Sequence, residues 1–385
     1  MHQTKYVFYL LMLVLMFNAC IKPYEPEIQT IDLKKYVING TISDADALQK
    51  LNISMTSAIG DPQYLPITAC NVVISDNKGN TFFMDDAGNG NYTTWINQSS
   101  FIPGVAFKVD VITPDGTHIV SDFDTLTECP AIDSVYFRVE DIPDNIPGVF
   151  TQGIQFYLDL DATSVKSHYF RWEAIETWEY HATYPLEWWY DGVIHHVVPP
   201  DYSNMVCWST RLIPEIYTIS TNNLVENKYH MLPLHFVSNR TSRLAYGYSL
   251  LIKQFALSEL AYIYWDKLRI NSDQQGGLYE KQPLAIKGNM HNLSNPESEV
   301  LGFFSVASLR TKRLFIHDVP NLPLDYYTYC SPSALWKGLQ ELTPSRYPAY
   351  LMGDALTYYL IELNVECINC TILGGSNVKP DFWPY

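Results

Sequence analysis

Cys367 and Cys370, in Cys367-Ile368-Asn369-Cys370, have the residue types and spacing that point most directly to chemistry. A redox dithiol needs a following helix to depress the thiolate pKa, and Thr371-Ile372-Leu373-Gly374-Gly375 places a glycine pair where that helix would start. A zinc site needs a second ligand pair at standard spacing, which is missing. These residues favour a structural disulfide from one or both cysteines to Cys330 or Cys207, a cross-link that typically adds about 2–4 kcal/mol. A second cluster holds His181, His195 and His196 with Glu176, Glu179 and Glu187. Adjacent His195 and His196 on a strand point to opposite faces, so structural histidines are expected and no metal site. Asp85-Asp86-Ala87-Gly88-Asn89-Gly90-Asn91 has the composition of a calcium loop without its alternating ligands and terminal Glu, and reads as a hairpin turn.

No nucleophile elbow, P-loop or dinucleotide fingerprint occurs in strand–helix context. The expectation is therefore a protein without catalytic residues. Aromatic side chains supply the remaining hint: 28 Tyr and nine Trp, with Trp178, Tyr180, Tyr184, Trp188, Trp189, Tyr190, Tyr202 and Trp208 crowded into one region. Of these, Trp178, Tyr184, Trp188, Trp189, Tyr190 and Trp208 are the candidates for binding a partner or ligand. Such side chains anchor protein partners or stack on sugar rings when exposed. About half are expected to fill a β core, with exposed ones concentrated between Pro185 and Pro200.

The elements that must carry these residues begin with an export signal. His2 and Lys5 precede an apolar run from Tyr6 to Phe17, shorter than the ~20 residues of a spanning helix. Phe17-Asn18-Ala19-Cys20 resembles a lipobox with Phe in place of the usual Leu. Residues 1–19 thus read as a lipoprotein signal peptide, Cys20 as the lipidation site, and 20–32 as a proline-containing tether. Two or more acyl chains on Cys20 would hold the protein at a membrane, and this covalent lipid is the one prosthetic group expected. A formal charge of −16 opposes nucleic-acid binding, which needs concentrated Lys and Arg. Six cysteines remain after Cys20: Cys70, Cys129, Cys207, Cys330, Cys367 and Cys370. An even number in an exported chain suggests disulfides, with the connectivity open.

From Tyr36 to Val120, short β-rich runs alternate with turn signals such as Asp76-Asn77-Lys78-Gly79-Asn80 and Pro114-Asp115-Gly116. Residues 33–130 are expected to form an Ig-like or carboxypeptidase-regulatory-like β-sandwich, and residues 131–385 a larger β-rich domain. Ser134–Val139, Gly153–Leu160 and His168–Tyr180 read as strands. The proline-interrupted stretch from Pro185 to Pro214 reads as an irregular loop. One helix is predicted at about 258–272, capped by Ser258, with Leu260, Tyr264 and Leu268 on one face.

These segments carry a resemblance. Cys20-Ile21-Lys22-Pro23-Tyr24-Glu25-Pro26, Val37-Ile38-Asn39-Gly40-Thr41-Ile42, Tyr248 to Ser258, Gly302-Phe303-Phe304-Ser305-Val306-Ala307-Ser308 and the tail from Cys367 to Trp383 resemble the Bacteroidota lipoproteins of the domain of unknown function 4249 type. That resemblance implies an outer-membrane lipoprotein associated with TonB-dependent (SusC-like) β-barrels and defines no catalytic residues. Lys22, Glu25 and Glu27 near the lipid resemble charged surface-export signals, so the cell surface is expected over the periplasmic face. Relatives often carry a cysteine after a Gly-Asn pair, where this chain has Gly288-Asn289-Met290-His291. Cys70 and Cys129 look particular to this chain, and a bond between them is one expectation. The function expected is an accessory subunit of a β-barrel transport or assembly complex. The alternative is a solute- or glycan-binding lipoprotein that delivers its ligand to a transporter.

Overall fold

The computed structural model describes residues 34–384 except 46–47, 59–60, 145, 274–285, 335–337 and 354–359. The expected signal peptide, the expected lipidation site Cys20 and the expected tether lie outside the described residues. The protein is mainly β, with one α-helix among the described residues.

The first module starts with β1 (Tyr36–Ser43), β2 (Leu48–Met55), β3 (Leu65–Pro66) and β4 (Asn71–Asp76). It continues through β5 (Thr81–Gly88), β6 (Asn91–Trp95), β7 (Ala106–Ile112), β8 (His118–Ser121) and β9 (Asp124–Thr125). Alternation decides the buried face: Ile38 and Ile42 of β1, and Phe107, Val109 and Val111 of β7, all point into one core. Gly40 lies between the two isoleucines because a Cβ there would meet Leu51 Cδ1 at 2.7 Å. The β4–β5 turn is closed by the Asp76 carboxylate, which accepts from the Lys78 and Asn80 amides at 2.9 and 2.8 Å, while Gly79 takes a positive φ. The Gly88-Asn89-Gly90 segment likewise turns β5 into β6 with three positive φ values. β5 pairs with β4 through its first half and with β6 through its second, so two sheet halves share the core.

The second region adds β10 (Ser134–Pro143), β11 (Phe150–Asp161), β12 (Tyr169–His181), β13 (Leu186–Tyr190), β14 (Ile194–Asp201) and β15 (Val206–Leu212). β16 (Tyr217–Ser220), β17 (Lys228–Ser238), β18 (Gly247–Ala256) and helix α1 (Glu259–Asp273) follow. Then come β19 (Met290–Asn292), β20 (Phe304–Ile316), β21 (Ser333–Ala334), β22 (Ala349–Gly353) and β23 (Leu360–Leu363). β12 pairs with β18 along most of its length, and with β16 and β15 along its two halves on the other side. Phe170, Trp172 and Ala174 on its inner face pack against Ile154, Phe156 and Leu158 of β11, whose sheet (β10-β11-β17) covers this core. A third sheet runs β14-β13-β22-β23-β21.

Strand β20 ties the two regions together. Residues Phe304–Ala307 pair in parallel with Gly40–Ser43 of β1, and Ser308–Ile316 pair antiparallel with β18. Phe304 and Val306 therefore complete the first core, while Ile316 belongs to the second. β19 also pairs with β8, so the first module is finished by segments that follow far downstream, at residues 290–292 and 304–307.

Helix α1 forms where predicted, and the Ser258 hydroxyl accepts from the Ala261 amide at 3.1 Å as its cap. Its buried face differs from the expectation. Leu260 is exposed, whereas Ala261 is buried and Tyr262, Tyr264 and Trp265 pack around it. The wide aromatics, not the leucine spacing, decide the contact.

The expected irregular loop from Pro185 to Pro214 is instead β13, β14 and β15. Pro185 and Pro214 lie outside these strands, and Pro199 and Pro200 occupy β14, which stands at the edge of its sheet. An edge strand tolerates missing amide donors, so proline does not break it. Cys70 and Cys129 do not pair with each other. Both are buried free thiols, one in the first core and one in the second.

Candidate functional site

The C-terminal half of β12 carries the charged centre of the second region. Residues 170, 172 and 174 face the core, so alternation aims Glu176, Trp178 and Tyr180 the same way. Glu176 is 0 % exposed. It accepts from Arg211 Nε, from Tyr248 Oη at 2.7 Å and from Arg243 Nη1 at 2.9 and 3.0 Å, and His235 Nε2 lies 3.6 Å away. Burial alone would raise its pKa. His235, the Arg243 charge, and hydrogen bonds from Tyr248 and Arg211 outweigh burial and bring it down to about 2. Tyr248 is pushed up by burial and by this carboxylate, so it stays a donor.

Above this centre lies a cleft of about 340 Å³ bordered by Trp178, Arg211, Arg240, Arg243, Tyr327 and Tyr329. The Arg211 guanidinium sits 5.5 Å from the Trp178 ring. A second chamber of about 190 Å³ shares Tyr180, Ser242, Leu373 and the tyrosines of residues 326–329, and adds Tyr246 stacked on His181 at 3.7 Å. Tyr327 is 95 % exposed and Tyr329 is 64 % exposed, so the rim presents rings to solvent.

Two disulfides hold that rim. Cys207–Cys370 joins the tail to β15, and Cys330–Cys367 joins it to the residue that follows Tyr329. The Cys-x-x-Cys pair is thus structural, with each cysteine bonded to one of the two partners expected from sequence. Tyr180 Oη donates to Cys370 O at 3.0 Å and accepts from the Gly375 amide at 2.9 Å. Gly375 is required here, because a Cβ would meet Tyr180 Oη at 2.2 Å. Asn364 Nδ2 donates to Tyr329 O at 3.0 Å and its Oδ1 accepts from the Ser331 amide at 2.8 Å.

Of the aromatic residues singled out from sequence, Trp178 and Tyr180 line the cleft, and the others do not. Trp188 and Trp189 stack on His196 and His195 across the β13–β14 pair, with centroids 3.6 and 3.8 Å apart. Tyr190 is buried edge-on against Tyr347. Tyr184 packs near Cys367, and the Trp208 backbone pairs with Ser376. The exposed apolar side chains of the β13–β14 hairpin are Val193, Ile194 and Val198, not aromatics. His195 and His196 do point to opposite faces, as strand geometry requires. Among the described residues no group of three or more His, Cys, Asp or Glu is placed to hold a metal ion.

Sequence reasoning missed Tyr326, Tyr327 and Tyr329 and the three arginines. The tyrosines stand immediately before Cys330, a cysteine already expected to be bonded, and that adjacency was the available signal.

A family model described as a domain of unknown function (DUF4249) matches residues 21–313. The chain belongs to this family. No curated protein is similar enough to the chain to add a name or an activity. The DUF4249 match spans β12, β15 and the three arginines and ends before the tyrosine rim, so the cleft is built from the family region on one side and from the disulfide-bonded tail on the other.

Proposed function

We propose that this DUF4249 protein is a non-enzymatic lipoprotein, held at the outer membrane and facing the cell surface through lipid on Cys20. In this reading it serves as an accessory subunit of a TonB-dependent or other β-barrel transport or assembly complex. The observation that carries the reading is the rim of exposed tyrosines over fixed guanidinium groups. Tyrosine and arginine dominate the energetic centres of protein interfaces because they offer wide contact area with polar ends. Glu176, the buried carboxylate beneath the cleft, is committed to Arg211, Arg243 and Tyr248 and held near pKa 2. A carboxylate so engaged is a structural anion and a poor general base.

A second reading, capture of a small solute or glycan for a transporter, draws support from the cleft volume, which lies in the usual range for ligand pockets. Affinity purification from mildly solubilised membranes, with the lipid anchor intact, tests the first reading. Recovery of an outer-membrane β-barrel with the wild type, lost when Tyr327, Tyr329 and Arg240 are changed to Ala together, is the expected result. Recovery of the protein alone across growth conditions would overturn it. Binding of a glycan panel to the cleft, without a barrel, would favour the second reading.

A further inference from the structure

The charged side chains that line the cleft over Glu176 are all of one sign. Register sets this up: Arg211 of β15 is the cross-strand partner of Glu176 on β12, and Ser209 is the partner of Trp178. Arg240 and Arg243 enter from the chain between β17 and β18. All three arginines line the cleft, and no Asp, Glu, Asn or Gln among the described residues lines it with them. The whole chain carries 41 Asp and Glu against 25 Lys and Arg, so this convergence runs against its overall charge. Mutual repulsion opposes such clustering, and Glu176 offsets it from beneath by accepting from Arg211 Nε and Arg243 Nη1. Asp144, outside the lining, meets Arg240 Nη1 at 3.4 Å, a long contact. Two carboxylates thus answer three guanidiniums, and one positive charge is left over. Arg211 and Arg240 keep 54 % and 51 % of their side chains exposed, so both are within a ligand's reach.

On the accessory-subunit reading, on which this step rests, we infer that the cleft takes the carboxylate of an acidic residue on an extended loop of the partner protein. An apolar neighbour on the same loop enters the adjoining chamber. A carboxylate accepts two N–H donors at once and carries the single negative charge that balances the cleft. Guanidinium groups only donate, whereas a sugar's hydroxyls need acceptors as well. A lining without carboxylate or amide side chains therefore suits an acid better than a glycan. The adjoining chamber differs: Ala182, Met205, Leu373 and Tyr246 line it together with Glu366. A second acid there would meet Glu366, while an apolar side chain finds a matching wall. Tyr327 and Tyr329 border both spaces and are open to solvent, which gives the loop aromatic surface to lie on.

Titration calorimetry of the intact chain with the end-capped peptide Gly-Leu-Asp-Leu-Gly, against capped Gly-Leu-Asn-Leu-Gly, isolates the contribution of one carboxylate. The acidic peptide is expected to bind saturably and the amide about tenfold more weakly, with added salt eroding the preference. Arg240→Glu should abolish the preference and Arg240→Lys should retain part of it, with thermal unfolding unchanged because this half-exposed side chain makes no hydrogen bond to Glu176. In the affinity purification, Arg240→Glu should cut barrel recovery several-fold. No saturable binding of the acidic peptide, equal binding of the two peptides, a preference undisturbed by Arg240→Glu, or tighter binding of trigalacturonate than of the peptide would overturn the acidic-loop assignment. Equal binding of capped Gly-Ser-Asp-Ser-Gly would overturn its apolar part. Those outcomes leave the barrel reading standing if Tyr327→Ala with Tyr329→Ala still loses the barrel. A wild type that prefers the acidic peptide yet recovers no barrel overturns the barrel reading alone.

Discussion

Asp124 in the first module and Glu176 in the second region are both buried carboxylates, and their pKa values move in opposite directions. Asp124, on β9 in the first module, is 4 % exposed. Burial raises its pKa to about 6, against hydrogen bonds from Ser258 and from the Val306 and Thr125 amides that hold it down. Glu176 in the second region is fully buried, yet it sits near 2 because His235, two guanidiniums and a phenol surround it. The difference is not depth but company. Neutral donors alone leave the desolvation penalty partly unpaid, whereas opposite charges in contact exceed it. The first module also has no disulfide among the described residues, while the second region has two and the cleft.

The contrast breaks most visibly under reduction. Cleaving both disulfides should destabilise the second region by about 2–4 kcal/mol for each bond and loosen the tyrosine rim. Hydrogen exchange should then show protection lost first near residues 326–330 and 364–376, with β4 and β7 least affected. Thiol titration of the unfolded, unreduced chain should find Cys70 and Cys129 reactive and the four bonded cysteines silent; in the native state both free thiols should be protected by burial.

Glu176→Gln comes next. It leaves Arg243 buried beside a neutral amide and should cost about 3–5 kcal/mol in chemical denaturation. Gly375→Ala should follow at roughly 1–3 kcal/mol, because the new methyl drives into Tyr180 Oη and the Trp208 carbonyl.

The smallest effect sharpens the comparison by sign. Glu176 has a folded pKa below its unfolded value, so its stabilisation is present above pH ~4.5 and disappears as pH falls toward 2. Asp124 has a folded pKa above its unfolded value, so its contribution is greatest below pH ~4 and declines as pH rises through 6. Denaturation across pH 4–7 should therefore show a shallow downward slope that Asp124→Asn removes, with that variant neutral or up to about 1 kcal/mol more stable at pH 8. A slope unchanged by Asp124→Asn would dissolve the contrast.

Much of the fold was legible because turns and alternation are local. The Asp76–Asn80 turn, the strands of residues 134–180 and the Ser258 cap each follow from a few neighbouring residues. The β13–β14 pair was not legible, because proline marks loops unless the strand lies at an edge, and edge position is a tertiary fact. The bonded pairs Cys207–Cys370 and Cys330–Cys367 lay within the expected partners, but their assignment, and the separate burial of Cys70 and Cys129, needed the topology. The cleft was half legible through Trp178. Its arginines come from β15 and the turn before β18, and its tyrosines from a segment beyond residue 320, and no local pattern brings those together.

The divided pairing of β20 dictates the order in which the molecule can close. A nascent chain leaving the ribosome has made every residue of β1 to β9 before it has made residue 304, yet Ile38 and Ile42 lack Phe304 and Val306 until then. The amino-terminal half must wait, open on one side, for a late-arriving segment, so synthesis runs ahead of final compaction. Truncation anywhere before residue 307 therefore strips packing from both regions of the molecule.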